Sequence, residues 1–123
     1  MELVYSNDKT EEQCTSMKVA RRLFDGNEAL AKSLMARINA LKQADTIKDI
    51  IVMPTFHFHK LKNKDRRDLE GYFGIDVKSR KEPWRIIWEP LDENKRPYVP
   101  CNIDEIAQTV RIVEITEVSK HYE

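Results

Sequence analysis

The chain has 123 residues, 41% of them hydrophobic, with 21 Lys and Arg set against 21 Asp and Glu. A chain of this length buries a core without disulfide support, so a single domain over 1-123 is expected. Zero net charge argues neither for nor against a polyanionic partner, and no apolar run approaches the ~20 residues that a membrane span needs. Cys14 and Cys101 lie far apart and there is no leader with a basic start and an apolar centre. Reduced thiols, a cytoplasmic location and no membrane partner are the expectation.

The distribution of charge says more than its sum. Met1 to Pro54 carries 8 cations and 8 acids, Thr55 to Arg85 carries 9 and 5, and Ile86 to Glu123 carries 4 and 8. The three blocks therefore hold charges of 0, +4 and −4, with the cations gathered in the middle of the chain.

In chain order, Glu2-Leu3-Val4-Tyr5 reads as a short strand. Thr10 and Gln13 have capping-box spacing, which predicts a helix running towards Met17 or Val19. Asp25-Gly26-Asn27-Glu28 repeats the start signal, and Leu30, Leu34, Ile38 and Leu41 follow at helical spacing with Met35 beside them, the pattern of a helix covering a sheet. A short helical turn is expected from Thr46 to Ile51, stopped by Met53-Pro54.

Three strands should follow. Phe56-His57-Phe58-His59 alternates aromatics with imidazoles, so a strand here buries Phe56 and Phe58 and presents His57 and His59 opposite. Gly71 to Val77 places Phe73, Ile75 and Val77 on one face. Trp84 to Trp88 places Trp84, Ile86 and Trp88 on one side and Arg85 on the other. Leu91 to Pro97 reads as a loop, Asn102 to Glu105 as one helical turn, and Val110 to Ile115 as a central strand with apolar residues on both faces. The order β-α-α-β-β-β-β defines an α+β fold, an N-terminal strand and two helices packed on a twisted, mainly antiparallel sheet.

The second face of that sheet gathers residues fit for cutting RNA. RNA supplies its own nucleophile, the 2′-hydroxyl, so cleavage needs a base, charge stabilisation at phosphorus and an acid for the leaving oxygen, but no metal. His57 or His121 suits proton transfer, and Lys62, Arg66 or Arg67, and Arg85 suit the scissile phosphate. His59, Lys60, Lys64, Arg80, Lys120 and Tyr122 are candidates for substrate binding. Ordinary roles compete: Arg85 pairing with Asp76 or Glu89 across the sheet, and Trp84 and Trp88 in the core. His57-x-His59 has the spacing to share a metal ion, but the residues that follow are cations and no third ligand stands nearby, so no metal and no cofactor are expected.

Phe58-His59-Lys60-Leu61-Lys62, Gly71-Tyr72-Phe73-Gly74-Ile75-Asp76-Val77, Trp84-Arg85-Ile86-Ile87-Trp88 and the late His121-Tyr122 together resemble the HigB-type killer toxins of the RelE superfamily. The chain departs from that pattern at Asn63, where a glycine is common, at Gly74, where a serine is usual, and in the order of His121 and Tyr122. The resemblance implies a RelE-like fold and the toxin of a type II toxin–antitoxin system, an endoribonuclease that cleaves mRNA on the ribosome and inhibits translation. It also implies a HigA-type helix-turn-helix antitoxin as partner, in a heterotetrameric complex. The alternatives are a ParE-like gyrase poison, which would not need the histidines or Lys62, and a regulatory protein that binds nucleic acid through phosphates without cutting it.

Overall fold

Helices start in this chain where a side chain replaces a missing backbone partner. Asn7, in extended conformation, accepts the amide of Thr10 at 2.8 Å and opens α1 (Asp8–Thr15). Ser16 closes α1 with its own amide and caps α2 (Met17–Leu23) by accepting the amide of Val19 at 3.3 Å. The single helix expected from Thr10 is thus two, because Ser16 adopts an extended backbone and its side chain caps the second. Asn27 caps α3 (Glu28–Gln43) through the amide of Leu30, and Leu30, Ala31, Leu34, Ile38 and Leu41 form its buried stripe. α4 (Lys48–Ile51) and a 3-10 turn (Pro54–Phe56) complete the first half.

A computed structural model describes residues 1–61 and 69–120. Its five strands are β1 (Glu2–Tyr5), β2 (His59–Lys60), β3 (Phe73–Asp76), β4 (Arg85–Leu91) and β5 (Ile112–Ser119), with the short helix α5 (Ile103–Ile106) before the last. They form one mixed sheet in the order β1-β5-β4-β3-β2; β1 runs parallel to β5, and every other pair is antiparallel. The class is α+β, as expected. Among the described residues no helix is long and apolar enough to cross a membrane.

The core lies between the helices and one face of this sheet. Leu34, Ile38 and Leu41 meet Phe73, Ile75, Ile86, Trp88, Val113 and Ile115, all nearly inaccessible to water. Phe73 and Trp88 stack with centroids 5.1 Å apart, and Phe58 lies 5.4 Å from Phe73. A bulge shifts the β4–β5 register, so that Ile87 opposes Glu117 while Trp88 opposes Ile115. The extra residue, Thr116, lets Ile115 and Val118 both face the core although three positions separate them. The Thr116 carbonyl accepts from the hydroxyls of Ser6 at 2.6 Å and Thr10 at 3.3 Å, which ties β1 and α1 to the bulge.

Several predicted strands differ from the observed ones, among them β5, which runs from Ile112 to Ser119 and not from Val110 to Ile115. Phe56 to Phe58 is not strand: Pro54 starts a tight turn in which the amides of Phe56 and His57 bond to the carbonyls of Met53 and Pro54 at 3.1 Å, and only His59–Lys60 pairs. β3 begins at Phe73, since Gly71 adopts φ 84° and belongs to the preceding turn. β4 runs on through Pro90 to Leu91, because β3 stops opposite Trp88 and Pro90 has a strand neighbour on one side alone.

On the sheet's second face Leu61 and Leu69 close over Ile87, with Tyr72 packed beside them. Farther along β4, Glu89 stands directly opposite Glu114 and hydrogen bonds to it. Burial, then Glu114, raises the Glu89 carboxyl to about 7. The folded state therefore keeps a proton that the unfolded carboxyl releases near 4.5, so stability is full below 4.5 and is lost as pH rises towards 7. Glu89→Gln should match the parent at pH 4 and be the more stable of the two at pH 8. Urea unfolding at the two pH values checks this; equal gains at both would remove the proton from the account.

Candidate functional site

The site begins with Arg37, on the helix side of the sheet. Its Nε donates to the carbonyls of Asp76 at 3.2 Å and Val77 at 3.3 Å, and its Nη2 to those of Thr55 and Lys78, both at 3.0 Å. The guanidinium also lies 4.3 Å from the Phe56 ring centroid. Ser33 adds a 2.7 Å bond from its hydroxyl to the Val77 carbonyl. One side chain of α3 thereby fastens the 54–56 turn to the end of β3. Burial lowers the Arg37 pKa, and the charge of Asp76 opposes that shift.

The fastened turn ends in His57 at φ 48° and ψ 57°, a left-handed conformation that side chains other than glycine seldom adopt. Its Nδ1 lies 3.2 Å from Oδ1 of Asp76. His59, two residues on, is paired with Gly74 in the sheet and bonds through Nδ1 to the carbonyl of His57 at 2.8 Å. A carbonyl only accepts, so this ring carries its proton on Nδ1 and presents a lone pair at Nε2. That Nε2 is buried without a partner and sits over Gly74, where an added Cβ would meet it at 2.9 Å. The two imidazole centroids are 5.0 Å apart.

Asp76 is the centre of the arrangement. Its side chain is 1% exposed, and its cross-strand partner is Arg85, whose Nε lies 3.2 Å from the same Oδ1 that faces His57. The pair is an ion pair without hydrogen-bond alignment at Nε, because Nη1 of Arg85 is drawn to the carbonyls of Glu82 at 2.5 Å and Trp84 at 2.9 Å. Oδ2 of Asp76 is buried with no partner. Arg85 thus offsets the buried carboxylate from within the sheet, while His57, its side chain 32% exposed, meets the same oxygen from the solvent side.

His57, His59 and Arg85 are brought together around Asp76. Arg85 is buried at 8% exposure, not displayed on an open face, since an aspartate across the strand pair draws it in. Lys60 and Arg80 are exposed, Arg80 in the β3–β4 turn. Lys120 is exposed with its ammonium 5.8 Å from the Trp84 ring, and Trp84 is half-buried with its ring edge-on to Phe24 at 4.9 Å. Lys62, Lys64, Arg66, Arg67, His121 and Tyr122 lie outside the described residues. Neither cysteine is prepared as a nucleophile: burial pushes the Cys14 thiol up to about 12 and raises that of Cys101.

The residues missed by sequence reasoning are Asp76, as the group that unites the histidines, and Arg37. Asp76 was legible only as a possible partner of Arg85, and its place beside His57 depends on a turn that strand alternation conceals. No family model, curated protein or solved structure matches this chain.

Arg37→Met keeps much of the side-chain volume and leaves four carbonyl interactions without their donor. It should lower unfolding free energy by about 2 to 4 kcal/mol with little change in denaturant slope. A loss below about 0.5 kcal/mol in urea unfolding would show that solvent replaces the guanidinium at no cost.

Proposed function

We propose that this chain is the toxin of a type II toxin–antitoxin system and a metal-independent endoribonuclease that cleaves mRNA on the ribosome. The observation that carries this reading is the Asp76–His57 pair: a buried carboxylate holds one nitrogen of an imidazole whose side chain is 32% exposed. With Nδ1 donating to Asp76, Nε2 of His57 is the atom free to take the 2′-hydroxyl proton. The deprotonated oxygen attacks phosphorus, the 5′ oxygen leaves with a proton, and the products are a 2′,3′-cyclic phosphate and a 5′-hydroxyl.

Arg85 acts in this scheme through Asp76. Its Nη1 is committed to two backbone carbonyls, so its charge, 3.2 Å from Oδ1, offsets and orients the carboxylate. Phosphate contacts then fall to exposed cations, Lys60 among the described residues, together with Lys62, Arg66 and Arg67. His121 remains the candidate acid. A HigA-type antitoxin would hold the chain inactive in a heterotetrameric complex in the cytoplasm, and the cation-rich block from Thr55 to Arg85 is the surface on which an acidic partner element would be favoured.

The test is induction of the chain in a bacterial host without an antitoxin, with mRNA ends mapped afterwards, alongside His57→Ala and Asp76→Asn. Growth arrest with new 5′-hydroxyl ends inside coding regions is expected for the parent chain, with cleavage reduced at least a hundredfold in His57→Ala. Asp76→Asn, checked for folding by circular dichroism, should cut less because an amide holds the wrong tautomer. New ends bearing 5′-phosphates would exclude attack by the 2′-hydroxyl, and arrest with intact messages and damaged DNA would point to gyrase.

A further inference from the structure

We infer that His57, His59 and Asp76 form a binding site for a divalent transition-metal ion, with zinc the best match, and that the ion silences the chain by occupying His57. Each of the three residues offers one ligand atom, and these atoms all lie within 4.8 Å of one another. Nδ1 of His57 and Oδ1 of Asp76 are 3.2 Å apart, close to the roughly 3.4 Å edge of a tetrahedron with zinc–ligand bonds of about 2.0 to 2.1 Å. Two imidazoles and a carboxylate, with a fourth position left for water, are a donor set that suits zinc.

Two independent features indicate a ligand here beyond the spacing of the donors. His59 already has the outer contact of a metal-bound histidine: Nδ1–H donates to the His57 carbonyl at 2.8 Å, which leaves the Nε2 lone pair inside the site. That lone pair is buried and unpartnered, and so is Oδ2 of Asp76, on a side chain 1% exposed. Buried polar atoms without partners carry a desolvation cost, and a cation shared by Nε2 of His59 and the Asp76 carboxylate lowers it for both residues. The space depends on Gly74, since a Cβ there would stand 2.9 Å from Nε2 and 3.0 Å from Cε1 of His59.

Arg85 is the opposing term. Its guanidinium, 3.2 Å from Oδ1, already offsets the carboxylate charge and repels a second cation, so the site binds zinc more weakly than a closed structural site does. An ion on Nδ1 of His57 forces the ring proton to Nε2. The imidazole then has no lone pair left for the 2′-hydroxyl, and this inhibitory consequence, unlike the binding itself, rests on the nuclease reading.

The test titrates the purified full chain with cobalt(II), followed in the visible, and then adds zinc. Intense tetrahedral bands should saturate at one equivalent and be displaced by zinc. His59→Gln and Gly74→Ala, each confirmed as folded by circular dichroism, should weaken binding more than tenfold, whereas Arg85→Met should tighten it. Absence of saturable one-to-one binding overturns the proposal, and so does binding unchanged in both His59→Gln and Gly74→Ala, which would place the ion elsewhere. The titration uses no RNA, so a chain that binds cobalt without cutting RNA refutes the nuclease alone, and one that cuts RNA without binding cobalt refutes the metal site alone.

Discussion

A carboxylate buried in a sheet next to an arginine sets the terms for everything around it. Asp76 is 1% exposed and stands opposite Arg85 in register, so the β3–β4 pair holds an ion pair where water cannot compensate either charge. Breaking such a pair from one side costs about 3 to 5 kcal/mol because the other charge remains buried. The chain surrounds it accordingly: Arg37 grips the Asp76 backbone from the helix layer, Arg85 faces its side chain from β4, and His57 approaches from the turn. The left-handed backbone at His57 is tolerated because Phe56 is clamped by Arg37 on one side and His59 is locked in the sheet on the other.

Where local signals and burial agree, the fold was legible. Asn27 and the stripe from Leu30 to Leu41 belong to one helix in both readings, since the cap and the 3.6-residue period demand the same backbone. Glu2 to Tyr5 is a strand in both. Phe56 to His59 was not legible, because two aromatic–imidazole repeats satisfy strand alternation over four residues while Pro54 favours a turn, and the turn is held by an arginine seventeen or more residues earlier. Arg37 itself was invisible, because it bonds to carbonyls, which every residue has. Arg85 was legible in part: the sequence offered a phosphate contact or a pairing with Asp76 or Glu89 across the sheet, and strand register selects Asp76.

The second face of the sheet is consequently less open than a count of its cations suggests. Leu61 and Leu69 pack on Ile87 and roof the middle of β4. Glu89 and Glu114 occupy its far end as a carboxyl pair. Among the described residues, His57 at one corner and Lys60 on the edge strand reach solvent. The His57 imidazole, at the border of an apolar roof, meets a buried carboxylate with one nitrogen and leaves the other on the solvent side, the arrangement that the proposed proton transfer requires.

The proposed proton-transfer role needs a proton on Nδ1 of His57 and the proposed metal role needs that nitrogen bare, so the two exclude each other at any instant. Asp76 can accept from Nδ1–H of His57 or share an ion with a deprotonated Nδ1, and the two states differ in whether Nε2, the nitrogen turned away from Asp76, carries the ring proton. Arg85 tilts this balance, since its charge favours the hydrogen-bonded state and penalises the cation, while the unpartnered Nε2 of His59 favours the cation and has no part in the hydrogen-bonded state. A site evolved for proton transfer alone has no evident use for a second histidine with its proton pinned away and its lone pair buried over a glycine. His59 is therefore the residue whose chemistry separates the two roles, and Gly74 is the position that leaves room for it.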